Sequence, residues 1–324
     1  MPELTYAQAL NAALREELQH DDRVFLLGED IAVQGGVFGI TRGLLAEFGA
    51  ERVRDTPISE SAFLGLAVGA ATTGMRPVAE IMYMDFMLVA TDPLVNQAAK
   101  MRYMTGGQVC VPMVIRTQQG GGRGNGAQHS QSLDALFAHI PGLKVVLPST
   151  PADAKGLLKA AIRDDNPVVF IEHKLLYATR GEVPDAQPAM RLGVADVKRT
   201  GKDVTVVALS RSVLQALEAA EVLAKEGISV EVIDPRTVRP LDVETIVASV
   251  RKTNRVVLVH EAVGFGSVLS EIAATIQELA FDWLDAPILR VSGADAPVAH
   301  SQSLEDVQLP NPARIVAAIR AVLE

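Results

Sequence analysis

The chain has 324 residues, of which 48% are hydrophobic and 21% are charged, and its formal net charge is −9. This length predicts a globular protein of about two domains, because one hydrophobic core rarely serves so long a chain. The negative net charge argues against nucleic-acid binding, which normally requires a basic surface. The single cysteine, Cys110, excludes an intramolecular disulfide and a cysteine-based zinc site.

The sequence also argues against targeting and membrane segments. The N-terminus, Met-Pro-Glu-Leu-Thr, lacks the basic start and apolar run of a signal peptide. The longest apolar-leaning run, 61–75, is rich in small residues and too short to span a bilayer. We therefore expect a soluble, cytoplasmic protein with no membrane and no nucleic acid among its partners.

Helical and strand patterns alternate along the first half of the chain. Thr5 and Gln8 form a capping box before a helix whose apolar residues share one face. Pro93 opens a later helix that ends at Gly106 and Gly107, and a helix of small residues is predicted over 61–73. A further helix runs from Pro151 to residue 162. The continuous apolar runs typical of buried strands are 24–27, 78–82, 111–115, 145–147 and 168–171.

The alternation stops briefly and then resumes in the second half. Gly181, Pro184 and Pro188 interrupt residues 177–192 without periodicity, which is typical of a linker. Strand runs follow at 204–209, 229–233, 255–259 and 288–291, and a last helix begins at Asn311-Pro312. Apolar strands that alternate with helices predict parallel sheets covered on both faces. We therefore predict an α/β protein with two doubly wound, mainly parallel domains, residues 1–178 and 198–324, joined by a linker at 179–197.

A glycine-rich segment at 120–126 raises the possibility of dinucleotide binding. Gly122, Gly124 and Ala127 match the spacing G-x-G-x-x-A after a predicted strand. The segment continues into the polar residues 128–132 rather than an apolar helix, and no suitable acidic residue follows about twenty positions on. The pattern therefore argues against a dinucleotide site.

Four side chains are candidates for chemistry, and each has a structural alternative. Glu60 precedes the small-residue helix, where a carboxylate also complements the helix dipole. Glu29 follows the end of a strand, where α/β folds place their sites, although a solvated loop acid fits equally well. Phe86 would by default belong to a core. His129 is flanked by glycine, glutamine and serine, and loops of this composition usually serve sites.

Several short segments, taken together in order, resemble the β subunits of the α2β2 2-oxo acid dehydrogenases and acetoin dehydrogenases, which are transketolase-like proteins. The match covers essentially the whole chain, and the joint order and spacing of the segments are specific although none is decisive alone. The segments are Leu27-Gly-Glu-Asp30, Asp55-Thr-Pro-Ile-Ser-Glu60, Arg76-Pro-Val-Ala-Glu80, Gln128-His-Ser-Gln131, Pro141-Gly-Leu-Lys144, Asp153-Ala-Lys-Gly-Leu-Leu158, Asp165-Asn-Pro-Val-Val169 and Leu304-Glu-Asp306.

The resemblance implies a first domain that binds the aminopyrimidine end of thiamine diphosphate and a second domain like the transketolase C-terminal domain. Glu60 matches the family glutamate that shares a proton with the pyrimidine N1′ and so activates the cofactor. Ile58, Met82 and Phe86 match positions that line the pyrimidine pocket, and Glu29 belongs to the same proton network. His129 matches a histidine near the substrate and the incoming lipoyl group, where imidazole serves as a general acid or hydrogen-bond donor.

The resemblance also implies an ion and several partners. Some relatives hold potassium through backbone carbonyls, which here correspond to Met113, Ala161, Ile162, Asp164 and Asn166. The sequence lacks the Gly-Asp-Gly segment with which this cofactor class holds Mg²⁺ and the diphosphate. We therefore expect an α subunit to supply the Mg²⁺ site in an α2β2 heterotetramer, and a lipoyl-bearing acyltransferase core to receive the acyl group.

The sequence leaves open the substrate and two rival functions. Acetoin is favoured modestly as the substrate, ahead of pyruvate and then branched-chain 2-oxo acids. The reason is that four segments look most like acetoin dehydrogenase β subunits, namely 128–133, 181–184, 234–236 and 285–287. A self-sufficient transketolase-like enzyme is the first rival, although the missing Gly-Asp-Gly and the short length speak against it. A non-catalytic assembly subunit is the second, although Glu60, Phe86 and His129 are all retained.

Overall fold

The structure is a computed structural model that describes residues 2–324, and the chain forms two compact units. The first unit contains the chain up to Gln119 together with Leu136–Leu192. The second contains Gly120–Ala135 and Gly193–Glu324. Within residues 2–324, no helix combines the length and the apolar character that crossing a membrane requires.

The first unit is built on a parallel sheet. Its strands are β1 (Glu3–Thr5), β2 (Val24–Gly28), β3 (Val53–Asp55), β4 (Arg76–Ile81), β5 (Val114–Gln119), β6 (Lys144–Val146), β7 (Val168–His173) and β8 (Arg180–Glu182). Six of them run parallel in the order β6-β7-β5-β4-β2-β3, while β1 and β8 form a separate antiparallel pair.

Helices connect these strands, most of them at the positions that the sequence pattern predicts. They are α1 (Tyr6–His20), α2 (Leu44–Phe48), α3 (Glu60–Thr72), α4 (Ala99–Met104), α5 (Asp134–Ala138) and α6 (Pro151–Arg163), with a π-helical stretch at Pro93–Ala98 before α4 and 3₁₀ turns at Met84–Leu88 and Lys174–Leu176. The predicted capping box is confirmed, since the Gln8 amide donates to Thr5 Oγ1 at 3.1 Å and the Thr5 amide donates to Gln8 Oε1 at 2.8 Å.

The second unit holds a five-stranded sheet in the order β14-β13-β10-β11-β9, in which only β9 is antiparallel. The five strands of this sheet are β9 (Asp196–Arg199), β10 (Val204–Ala208), β11 (Val230–Asp234), β13 (Val256–Val263) and β14 (Leu289–Gly293), and a short strand outside it is β12 (Thr237–Arg239). Its helices are α7 (Ser212–Ala224), α8 (Val243–Thr253), α9 (Val268–Ala280), α10 (Gln302–Gln308) and α11 (Pro312–Leu323), with a 3₁₀ turn at Phe281–Trp283. Buried valines of β10, β11 and β13 pack with α7 and α11 to form its core.

The predicted fold class, two α/β domains with mainly parallel sheets, is confirmed. Two strands differ clearly in their range. The predicted run 255–259 contributes to β13, which continues to Val263. The predicted run 111–115 contributes to β5, which begins at Val114 and continues to Gln119. The apolar pattern ended this strand too early because its last four residues, 116–119, are polar yet buried.

The two units and the predicted domain ranges differ at two places. The units divide between Leu192 and Gly193, within the predicted linker 179–197, and this stretch also contains strand residues of β8 and β9. Residues 120–135 fall within the predicted first domain, yet they belong to the second unit. The reason is local, because carboxylates of the second unit accept hydrogen bonds from the amides of this segment.

Candidate active site

Three adjacent parallel strands of the first unit end at the same edge of its sheet. Gly28 of β2 is in register with Asp55 of β3 on one side and with Glu80 of β4 on the other. The amide of Thr56 donates to the carbonyl oxygen of Gly28 at 3.0 Å, which ties the chain after β3 to the end of β2. The segments that follow these strands carry the predicted site residues Glu29, Ile58, Glu60, Met82 and Phe86.

Two carboxyl groups interact at this edge. Glu60 is the first residue of α3, and only 8% of it is exposed. Glu29 is half-buried, and burial raises the pKa of its carboxyl to about 7, with the negative charges of Glu60 and Asp30 adding to the rise. Among the described residues, none forms a hydrogen bond with the buried Oε1 atom of Glu29. The Glu29 carboxyl therefore takes up and releases a proton near neutral pH.

An aromatic cluster follows β4. The Phe86 and Tyr83 ring centroids lie 6.3 Å apart, and Phe38 lies 5.6 Å from Tyr83 and 5.0 Å from Tyr177. The Lys174 ammonium group lies 5.0 Å from the Tyr83 ring centroid, within the range of a cation–π interaction. Phe86 is half-buried rather than enclosed in the core, so the structure does not support its default assignment as a core residue.

Met82 and Ile58 differ in how far the chain itself covers them. Met82 is half-buried beside the aromatic cluster. Ile58 is 84% exposed, which is unusual for a large aliphatic side chain at a site predicted to line a pocket. Its apolar surface is therefore available to a bound molecule or to another chain.

A buried ionic network lies in the same sheet, and sequence reasoning missed it. Arg116 of β5 is 1% exposed, and its Nε and Nη2 atoms donate to the two carboxylate oxygens of Glu172 at 2.7 and 2.9 Å. Its Nη1 atom donates to Glu80 at 2.7 Å, and the Tyr177 hydroxyl donates to Glu172 at 2.6 Å. Burial raises the pKa of Glu172, while the Arg116 charge opposes that rise. The available signal was the polar run that directly continues an apolar strand.

This network joins the aromatic cluster to the strand ends. Tyr177 bonds to Glu172 through its hydroxyl and packs its ring against Phe38. Glu80 is in register with Gly28, the residue before Glu29. A single guanidinium, that of Arg116, therefore helps to fix the ends of β4 and β7 beside the predicted pyrimidine-side residues.

His129 belongs to the second unit, whereas the predicted pyrimidine-side residues belong to the first. It is half-buried, and its amide donates to the carbonyl oxygen of Gly126 at 3.3 Å. The surrounding segment, 120–135, is attached to the second unit at both ends. The Gly121 amide donates to Glu261, and Asp134 Oδ1 lies 2.8 Å from His260 Nε2.

The predicted potassium carbonyls lie in the first unit, and protein donors already contact four of them. Arg76 Nη1 donates to the carbonyl oxygens of Ile162 and Asp164 at 3.0 and 3.1 Å. Backbone amides donate to the carbonyl oxygens of Met113 and Ala161. Arg76 thus brings positive charge to the C-terminal end of α6, although each carbonyl oxygen retains a second lone pair.

Comparison with known proteins identifies the family. The transketolase pyrimidine-binding domain matches residues 2–180, and the transketolase C-terminal domain matches residues 193–315. The chain is 48% identical over 326 residues to the 2-oxoisovalerate dehydrogenase subunit beta of Bacillus subtilis (strain 168), and the alignment covers 100% of each chain. The chain belongs to the family of dehydrogenase E1 β subunits.

Other E1 β subunits are similar to the same degree. The chain is 48% identical over 323 residues to the pyruvate dehydrogenase E1 component subunit beta of Rhizobium meliloti (strain 1021), covering 99% of this chain and 70% of the relative. It is 47% identical over 332 residues to the acetoin:2,6-dichlorophenolindophenol oxidoreductase subunit beta of Bacillus subtilis (strain 168), covering 99% and 97%. A solved structure described as a split-gene transketolase, an inactive β4 tetramer, matches with a TM-score of 0.80 and 26% identity over 99% and 98% of the two chains.

The resemblance stated from the sequence is therefore confirmed, and so is the transketolase-like fold of an E1 β subunit. The five predicted pyrimidine-side residues lie on the segments that follow β2, β3 and β4, three strands that end at one sheet edge. Their roles, the role of His129 and the potassium site remain predictions.

Proposed function

We propose that this E1 β subunit contributes the pyrimidine half of a thiamine-diphosphate site in an α2β2 dehydrogenase component. The component cleaves acetoin or oxidatively decarboxylates a 2-oxo acid, and it passes the acyl group to a lipoyl domain. The observation that carries the proposal is the pair of interacting carboxyl groups, Glu29 and Glu60, at the carboxyl ends of adjacent parallel strands. Such edges are where α/β sheets place ligands.

The residues at this edge fit the aminopyrimidine end of the cofactor. A protonatable carboxyl is needed beside the ring nitrogen, and Glu60 supplies a buried one. Glu29 adds a carboxyl with a pKa of about 7 and a buried oxygen that no described residue satisfies. When bound, thiamine diphosphate supplies the nucleophilic carbon and the electron sink of the reaction.

Each side chain then has a separate task. Glu60 holds a proton at the pyrimidine N1′, and Glu29 relays protons to and from that carboxyl near neutral pH. Phe86 and Met82 provide apolar walls for the ring, and the exposed Ile58 closes the pocket once the ligand and the partner chain are present. His129 donates a hydrogen bond or a proton during transfer to the lipoyl group.

The partner requirement follows from what this sequence lacks. Without a Gly-Asp-Gly segment, the chain has no recognisable means of holding Mg²⁺ and the diphosphate, so we assign both to the α subunit. Charge-assisted contacts to phosphate are among the stronger interactions in such a site. The isolated chain should therefore bind the cofactor weakly, in keeping with a split-gene transketolase whose β4 tetramer is described as inactive.

Titration calorimetry on the purified chain, with and without its α subunit, tests this assignment. We expect weak binding of thiamine diphosphate by the chain alone and tight, Mg²⁺-dependent binding by an α2β2 particle. Tight, Mg²⁺-dependent binding by the β chain alone would favour the self-sufficient transketolase-like enzyme. Full binding without turnover of any substrate in the assembled particle would favour a non-catalytic assembly subunit.

Glu60→Gln tests the catalytic assignment in the assembled enzyme. The substitution keeps the size of the side chain but removes the shared proton, so we expect turnover to fall by at least about a hundredfold. Glu51→Gln, at an exposed position, is the matched control and should leave turnover unchanged. Near-normal turnover of Glu60→Gln would refute the assignment of Glu60 as the proton-sharing carboxyl.

His129→Ala should separate the two half-reactions. We expect acylation of a lipoyl domain to fall more than turnover with 2,6-dichlorophenolindophenol as the electron acceptor. An equal loss in both assays would move His129 to substrate binding or cleavage. No loss in either assay would remove it from the site.

The substrate requires a panel of compounds, because the named relatives act on three different ones at 47–48% identity. We propose acetoin as the first candidate, ahead of pyruvate and branched-chain 2-oxo acids. The ratio of kcat/KM values among acetoin, pyruvate and 2-oxoisovalerate decides the order.

The potassium site is part of the same proposal. If the carbonyls of Met113, Ala161, Ile162, Asp164 and Asn166 bind this ion beside Arg76, KCl should raise the unfolding temperature above that in choline chloride at equal ionic strength. Equal unfolding temperatures in the two salts would eliminate the site.

A further inference from the structure

The glycine-rich segment of the second unit surrounds a buried carboxylate. Glu305 of α10 is 0% exposed, and its Oε1 atom accepts from the Gly122 amide at 2.6 Å. Its Oε2 atom accepts from the Gly124 amide at 2.9 Å. Both carboxylate oxygens are therefore engaged by amides of one short stretch, five residues before His129.

This arrangement occupies what would otherwise be an anion site. Amides of a glycine-rich turn that point to one spot form a concavity that binds phosphate in many proteins. Here the anion is a side chain of the same chain, which explains why a glycine-rich pattern after a strand need not signal a nucleotide. A Cβ atom at Gly121 would lie 2.8 Å from Glu305 Oε1, so the turn fits closely around the carboxylate.

Two further contacts fix the ends of the same segment. The Gly121 amide donates to Glu261 of β13 at its start. At its end, Asp134 lies 2.8 Å from His260, and both side chains are buried. Three acidic side chains thus hold residues 121–134 against the rest of the second unit. The central carboxylate, that of Glu305, bonds Gly122 and Gly124, which lie seven and five residues before His129.

We propose that Glu305 is a positioning residue, whose carboxylate serves as a built-in anion that fixes the glycine-rich segment and thereby orients His129 for acyl transfer. The orienting role rests on the proposed function of His129, while the fixing of the segment does not. Glutamine at position 305 offers only one acceptor oxygen, and its NH₂ group would face a backbone N–H. A charged acceptor bonded to two amides is among the stronger hydrogen-bonding arrangements in a protein.

Hydrogen exchange on the purified full-length chain tests the fixing role without any cofactor. In Glu305→Gln, we expect the amides of Gly122 and Gly124 to exchange at least about tenfold faster than in the wild type. Asp306→Asn is the matched control, because this neighbouring carboxylate on α10 is exposed and accepts its hydrogen bond from Gln302 rather than from the glycine-rich segment. Glu305→Asp keeps both acceptor oxygens and should restore part of the protection. Unchanged exchange in Glu305→Gln would overturn the proposal.

A double-mutant cycle in the assembled enzyme tests the orienting role. We expect Glu305→Gln to lower lipoyl acylation by about tenfold, with a smaller effect on dye-linked turnover, and to add less than about twofold in the His129→Ala background. An undiminished effect of Glu305→Gln in that background would show that Glu305 acts independently of His129 and would overturn the orienting role. If His129→Ala alone is neutral in both assays, the proposed role of His129 fails, and the exchange measurement still decides whether Glu305 fixes the segment.

Discussion

Replacing Arg116 with methionine should show how much stability one guanidinium group provides in the first unit. The substitution leaves Glu172 and Glu80, which are 0% and 4% exposed, without the donor that forms three of their hydrogen bonds. Removing one partner of a buried ion pair typically costs about 3–5 kcal/mol. Because two carboxylates lose the same partner, we expect about 5 kcal/mol, a large share of the usual stability of a domain.

The stability lost in Arg116→Met should increase as the pH rises. Burial already raises the pKa of Glu172, and the opposing charge of Arg116 disappears in the variant. A carboxyl whose folded-state pKa lies above its unfolded-state value contributes stability below the unfolded pKa, and it loses that contribution as the pH rises through the folded pKa. Arg116→Met should therefore be much closer to the wild type at about pH 5 than at about pH 8.

Urea denaturation followed by far-ultraviolet circular dichroism at both pH values measures this difference. Arg15→Met is the control, since Arg15 pairs with Glu47 at 2.7 Å on the surface of the same unit and should cause a far smaller loss. Adding Glu172→Gln to Arg116→Met should recover part of the stability at about pH 8, because one buried charge disappears. A pH-independent loss, or none at all, would refute the reasoning.

Three further predictions concern single side chains. Glu29→Gln should stabilise the isolated chain increasingly as the pH rises from about 4.5 through about 7, because the raised pKa of Glu29 makes its ionised form costly. Burial lowers the pKa of His260, but the charge and the hydrogen bond of Asp134 outweigh burial and raise this pKa above 6.5. Asp134→Asn should therefore destabilise the folded chain most at low pH, where His260 is protonated. Gly142→Ala should destabilise by more than about 1 kcal/mol, because φ is +101° and the new Cβ would overlap the carbonyl oxygen of Ala99.

Urea midpoints across the pH range check the first two of these predictions. A pH-independent effect of Glu29→Gln would contradict the raised pKa. For Asp134→Asn, the gap to the wild type should narrow as the pH rises through the pKa of His260, and a widening gap would contradict the assigned charge pair. Gly74→Ala is the control for Gly142→Ala, because φ is +98° there and no atom lies within 4 Å of the added Cβ.

The sequence by itself determined the elements whose signals are local. The capping box at Thr5 and the proline-initiated helices at Pro151 and Pro312 appear where their patterns predict them. Hydrophobic periodicity and helix capping depend on residues that are close in sequence, so they can be recognised without knowledge of the rest of the chain. The family also followed from the sequence, because segment order and spacing are themselves sequence properties.

Only the tertiary structure decided which distant groups meet. Arg116 lies 36 positions from Glu80 and 56 from Glu172, and no local pattern pairs them. The sequence places the glycine-rich segment within the predicted first domain. It belongs instead to the second unit, where Glu305, 183 positions after Gly122, accepts a hydrogen bond from it. Charges and hydrogen bonds between strands depend on sheet order and register, and these are set by the packing of the whole unit rather than by adjacent residues.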